Sequence, residues 1–304
     1  MAVSTVKVNI NGQNYDLTYN SISGKWEATI TAPNTTSFHE IDNKYGITVT
    51  ATDNAGNSTV KDRSDTTLGS ILQLRVLEKT KPTIALTSPS SGARVVTSKP
   101  SIVFQLRDTG SGIKIDSLQL KIDGGVAIGH NASGMTCTSV PGGYDCTYIP
   151  PTALSEGSHT VTIQISDNDG NTSDLLSSAF NVDTVPPALN ISNPTNGLIT
   201  NNKNLTVSGT TNDATSSPVV VTIKLNGQDQ GAVNVSAGSF SKAITLAEGE
   251  NTIEVKATDS AGLTSTVTRT VTLDTKAPTI SAVTVTPNPV DSGKTFVITV
   301  TVSD

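Results

Sequence analysis

NTIEVKATDSAGLTSTVTRTVTLDTKAP, residues 251–278, opens in strict alternation, with Ile253, Val255 and Ala257 on one side and Thr252, Glu254 and Lys256 on the other. That period of two is the mark of a half-buried strand. Asp259-Ser-Ala-Gly262 then reads as a tight turn, a Thr/Val-rich strand runs to Leu273, and Asp274-Thr-Lys-Ala-Pro278 breaks the pattern. Strand, turn, strand and proline-marked linker together make the end of a module. The same arrangement occurs at Gly46–Asn57, closed by Pro82, and from His159 to Asn171, closed by Pro187. Internal repeats overrule the length prior of about 150 residues per domain, which alone suggests two domains.

The boundary prolines 82, 187 and 278 serve as a ruler, spaced 105 and 91 residues apart. After each comes a short strand, a proline-containing turn and an alternating strand ending on aspartate, at Asp108, Asp213 and Asp304, each 26 residues beyond its proline. The extra length of the second copy lies in a hairpin at 124–147. The pattern divides the chain into 1–79, a module without its first two strands; 80–184; 185–275; and 276–304, which holds only the first two strands of a further or shared module. Roughly seven short strands per repeat, with turns every 8 to 12 residues, predict an all-β chain of serial β-sandwiches.

Composition narrows the function classes. Only 15% of residues are charged and 4% aromatic, and a net charge of −6 leaves no basic stripe for nucleic acid. No apolar run approaches the roughly 18 residues of a membrane span, so membrane insertion is not expected, and MAVSTVKVNING has no signal-peptide pattern. The two cysteines, Cys137 and Cys146, flank Val-Pro-Gly-Gly and come within disulfide reach if a turn at the glycines sets them opposite; two reduced thiols are the alternative.

ATDNAGN (51–57), SDNDGN (166–171) and ATDSAG (257–262), with the junctions VDTVPP and LDTKAP, resemble the bacterial immunoglobulin-like repeats of giant surface adhesins and of phage tail and capsid proteins. The resemblance covers nearly the whole chain and implies tandem immunoglobulin-like sandwiches in a linear array. Such modules serve as spacers, stalks and binding heads alike, so it implies no single function.

Asp167-Asn-Asp169-Gly-Asn171 offers two carboxylates and two amide oxygens, a hard-oxygen set of the kind calcium takes. The resemblance implies that turn aspartates act with the junction aspartate, nominating Asp167, Asp169 and Asp183, or Asp259 and Asp274, as calcium ligands. The competing reading is that these residues form only their own side-chain-to-backbone turns. At the first junction Glu78 stands in place of the aspartate. His159 stands where the third copy has Asn251 and reads as edge decoration, while His39 and His130 lack neighbouring partners for zinc or nucleophilic chemistry. Trp26 alternates in phase with Ala28 and Ile30 and reads as core.

The incomplete ends imply completion in trans by self-association of terminal strands, completion in cis, or a fragment or rearranged module. The expected function is a non-enzymatic structural and attachment array on a phage virion, the tail foremost, touching cell-surface glycans or proteins weakly and multivalently. The second reading is a segment of a bacterial cell-surface adhesin with calcium-stiffened junctions, and the third an accessory module of an enzyme.

Overall fold

The computed structural model describes residues 2–304; Met1, with which the first module's reading begins, lies outside them. The described residues form strands throughout, relieved by a 3-10 turn at Ile41–Asn43, and none of their helices is long and apolar enough to cross a membrane. The chain divides into two compact units, Met1–Val182 and Asp183–Asp304.

The first unit opens with β1 (Val3–Ile10), β2 (Gln13–Asn20), β3 (Lys25–Glu27), β4 (Tyr45–Asp53), β5 (Ser58–Lys61) and β6 (Gln73–Leu74). These make one sheet of order β3-β2-β1-β4-β5, with β6 also on β4. Val8, Ile10, Tyr45 and Val76 form its small core. The unit continues through β7 (Thr83–Ser88), β8 (Arg94–Val95), β9 (Ile102–Arg107), β10 (Ile113–Ile122), β11 (Met135–Val140), β12 (Gly143–Tyr148), β13 (Gly157–Asp167) and β14 (Leu176–Val182). Two four-stranded sheets result, β10-β13-β14-β8 and β11-β12-β9-β7. Because inward residues alternate, Ile102, Phe104 and Leu106 of β9 share one buried cluster with Val161, Ile163 and Ile165 of β13.

Cys137 and Cys146 stand directly opposite each other on β11 and β12, and their sulfurs are bonded. The bond closes a loop nine residues apart in sequence, which by chain entropy stabilises the fold by roughly 2–3 kcal/mol. Reductant is therefore expected to lower the melting transition of the first unit and leave that of the second in place, as differential scanning calorimetry would show. Equal transitions with and without reductant would refute this.

The second unit comprises β15 (Ala188–Asn193), β16 (Leu198–Thr200), β17 (Asn204–Asn212), β18 (Val220–Leu225), β19 (Gln228–Asp229), β20 (Val235–Ser236), β21 (Ser239–Thr245), β22 (Gly249–Thr258) and β23 (Thr264–Leu273). The sheets are β15-β17-β21-β20 and β16-β23-β22-β18-β19, and Val207, Phe240 and Ile244 of the first meet Ile223, Val255 and Val271 of the second in one core. Among the described strands β24 (Thr279–Thr286) and β25 (Val297–Ser303) pair with each other alone, and residues 274–304 are exposed throughout.

Candidate metal centre

Asp183 precedes β15, Asp213 follows β17 and Asp259 follows β22, so three segments far apart in sequence bring a carboxylate to one end of the same sandwich. One oxygen from each lies within 4.8 Å of the others. All three side chains are buried, Asp183 completely. Each also organises its own backbone: Oδ1 of Asp183 accepts from the Val185 amide, that of Asp213 from Thr215 and Ser216, and that of Asp259 from Ala261 and Leu263. The turn-forming role and the cluster thus coexist in the same three residues.

The second oxygens of Asp183 and Asp259 are buried without a hydrogen-bond partner, as is the hydroxyl of Ser216, whose amide donates to Asp213. None of the three aspartates forms an ion pair with a described Lys, Arg or His. Several unpaired carboxylates held together away from water are costly, by mutual repulsion and by lost hydration. A hard divalent cation removes both costs, and an all-oxygen donor set is the kind calcium takes. The residues fit the group.

The orphaned Asp259 oxygen has an identifiable sequence cause. In the turns at Asp53 and Asp167 the residue four positions on is asparagine, and the Nδ2 groups of Asn57 and Asn171 donate to the second aspartate oxygen at 3.0 and 2.7 Å. In the third turn that position is Leu263. It supplies the amide to Oδ1 but has no side-chain donor for Oδ2.

A corresponding cluster in the first unit joins Glu78, Asp108 and Asp167, again within 4.8 Å. Its oxygens are better occupied by the protein: the Ser111 amide donates to Glu78, the Gly112 amide to Asp108 at 2.6 Å, and Asn171 to both oxygens of Asp167. Burial pushes the Asp108 carboxyl above its ordinary range, the Gly112 amide opposes this, and the charges of Glu78 and Asp167 add to the rise. This site therefore has less demand for a cation than the Asp183 site.

Of the five nominated ligands, Asp167, Asp183 and Asp259 fall in the clusters. Asp169 and Asp274 do not, and the expected groupings are replaced. Asp169 accepts from the Thr36 hydroxyl at 2.5 Å and the Glu78 amide at 3.1 Å and faces Arg75 at 3.9 Å, so it fastens the segment before β7. Asp274 is exposed and accepts from the Lys276 amide. The members missed in the sequence are Glu78, Asp108 and Asp213. The 26-residue spacing marked the two aspartates as strand ends but gave no sign that strand end, turn and junction converge.

Two further expectations need correction. His159 is no edge decoration: it is 5% exposed, with Nδ1 2.7 Å from Asp123 and Nε2 2.9 Å from the Ser155 carbonyl. Both ring nitrogens are thereby engaged. Trp26 is outside the core cluster, half-buried, with its ring 5.7 Å from that of half-exposed Tyr19. Its equivalent in the second unit, Phe240, is buried because β17 lies beside β21, and among the described residues no strand lies so beside β3. His39 bonds the Gly110 carbonyl at 2.9 Å, and His130 lies 3.5 Å from Asp116.

Two family models match parts of the chain. Residues 82–163 match the family described as bacterial Ig domain, and residues 187–275 the family described as glucodextranase, domain B. Bacillopeptidase F of Bacillus subtilis (strain 168) is 31% identical over 137 residues, which is 45% of this chain and 9% of that protein. Among solved structures, a three-domain immunoglobulin segment of titin matches with 14% identity and a TM-score of 0.45, covering 88% of this chain and 87% of that one. The fibronectin(III)-like modules of Clostridium thermocellum CbhA match with 16% identity and a TM-score of 0.37, covering 63% and 94%. Repeated sandwiches together with these two family matches support a bacterial immunoglobulin-like repeat protein.

Proposed function

We propose that this chain is a non-enzymatic spacer and attachment array whose immunoglobulin-like repeats are stiffened at their entry by calcium. The observation that carries the reading is the buried Asp183–Asp213–Asp259 cluster with its two unpartnered oxygens. A cation there ties the entering segment, a strand end and a turn into one rigid point. Repetition of similar modules suits weak multivalent contact with cell-surface glycans or proteins, in which avidity compensates for feeble single sites. Display on a phage virion, the tail foremost, is the first placement. A segment of a bacterial surface adhesin is the second, and the cation cluster favours it. Detection of the chain in purified virions, against detection in a cell-wall fraction, separates the two.

Calcium titration with thermal melting of the full chain tests the metal. At a hundredfold excess over Kd, binding adds about 2.7 kcal/mol, so the second unit's transition is expected to rise by on the order of 10 °C. Asp183→Asn keeps the side chain's shape and its acceptor for Val185 but removes the charge, and should abolish the rise. Leu263→Asn supplies the missing donor to Asp259 and should weaken binding. A transition that ignores calcium in the unaltered chain would overturn the reading.

A further inference from the structure

β24 and β25 stand one repeat after β15 and β17 and two after β7 and β9, since Asp304, Asp213 and Asp108 lie at the same distance from their prolines. In the two earlier copies the second strand is covered. β9 pairs with β12 and β17 with β21, and their inward residues, Ile102, Phe104 and Leu106 or Val207, Gly209 and Thr211, are buried. In β25 the equivalent Ile298, Val300 and Val302 are 57, 46 and 55% exposed, and β24 is its one partner among the described strands.

The β1–β6 sheet shows the complementary deficit. Ile47, Val49 and Ala51 of β4 are half-buried, whereas their equivalents Val161, Ile163 and Ile165, and Ile253, Val255 and Ala257, are buried to 1% exposure or less. β3 corresponds to β21, with Trp26 in the place of Phe240 and Ile30 in that of Ile244. The correspondence extends to pairing: Tyr19 opposes Trp26 on β2 and β3 as Val235 opposes Phe240 on β20 and β21. The other edge, which β17 occupies on β21, carries no described strand on β3. A cavity of about 470 Å³ is lined by Ala2, Val3, Tyr19 and Trp26.

We propose that β25 of one copy of this chain adds to the free edge of residues 25–31 of a second copy, in the register by which β17 pairs with β21. That register sets Phe296 opposite Ile30, Ile298 opposite Ala28 and Val300 opposite Trp26, each apolar residue meeting another. The order β24-β25-β3 then reproduces β15-β17-β21, and the added strands cover Ile47 and Val49. Strand addition gives affinity through main-chain hydrogen bonds and register through alternate side chains. The contact is heterologous, so copies join head to tail.

In the same register Thr299 falls opposite Glu27, and both are exposed. Full-length Glu27→Cys and Thr299→Cys chains, mixed and oxidised, are expected to give a cross-linked dimer that neither gives alone, since Cys137 and Cys146 are already bonded. Val297→Cys, out of register, should cross-link at least tenfold less with Glu27→Cys. Light scattering of the unaltered chain should show mass rising with concentration to at least twice that of one copy. Ile298→Lys with Val300→Lys should hold it at one copy while circular dichroism and melting of both units stay unchanged. A single-copy mass at every concentration with no cross-link, assembly that persists in the lysine variant, or equal cross-linking by Val297→Cys would each overturn the proposal.

Discussion

Gly209→Ala is expected to cost the second unit about 3 kcal/mol or more, although it adds one methyl group. Gly209 lies in β17 between Ile191 of β15 and Phe240 of β21. A Cβ there would sit 2.1 Å from the Asn190 carbonyl oxygen and 2.8 Å from the Phe240 ring. The ring could turn aside, but the carbonyl belongs to a paired strand, so β15 itself must shift. The absent side chain is what lets the largest core residue of this sheet reach inward beside its neighbour's backbone. In the second repeat the same pairing position holds Phe104 against Cys146, the bulk having moved to the other strand. Urea unfolding should show the second unit's transition move alone, by the equivalent of roughly 15 °C in a thermal melt. Phe240→Ala should not rescue it, because the backbone clash remains. A loss below 1 kcal/mol, or rescue by Phe240→Ala, would disprove the packing account.

Alternation made most of the fold legible. Ile253, Val255 and Ala257 are buried because a strand with one face on a core allows a single register, and a slip of one residue would turn all three outward. Val161, Ile163 and Ile165 follow the same rule. Trp26 shows its limit: period two says which side of the sheet a residue takes, but burial on that side requires another strand to arrive. Phe240 has β17 beside it and Trp26 has no such neighbour among the described strands, so identical phase yields different exposure.

The candidate site was half legible for a related reason. Asp167 and Asp259 announce themselves by the turn they close, and Asp183 by its place before a proline junction. Asp108 and Asp213 carry no local sign, because their role comes from strand ends meeting across two sheets. Asp169 looked equivalent to Asp167 in one dimension, yet two residues along a turn point to different neighbours, here Thr36 and Arg75. One difference between the two clusters, Asn171 against Leu263, is visible in the sequence once the turn hydrogen bonds are known.

His159→Ala is expected to lower the stability of the first unit by about 2–4 kcal/mol and to remove part of its pH dependence. Burial alone pushes the imidazolium down, but the Ser155 carbonyl and the Asp123 carboxylate outweigh this and raise it above its ordinary value. Asp123 is itself opposed by burial, yet the Thr160 amide and His159 hold it below its ordinary range. A raised histidine contributes stability that is fully present below its unfolded value of about 6.5 and is lost as pH rises through the folded value; a lowered aspartate contributes above about 3.9 and loses it on acidification. The pair therefore stabilises most between about pH 4 and 6.5, and the unaltered first unit should weaken from pH 6 toward 9. His159→Asn should recover much of the loss without the pH slope, because the third repeat already does this job with asparagine. There Asn251 donates to the Ala247 and Gly249 carbonyls and accepts from Asn226, the counterpart of Asp123, so both residues fasten the loop before a central strand to a turn on its neighbour. Equilibrium unfolding from pH 5 to 9 checks this: an alanine variant with the unaltered slope, or an asparagine variant no better than alanine, would show that the pair does not tie the two turns together.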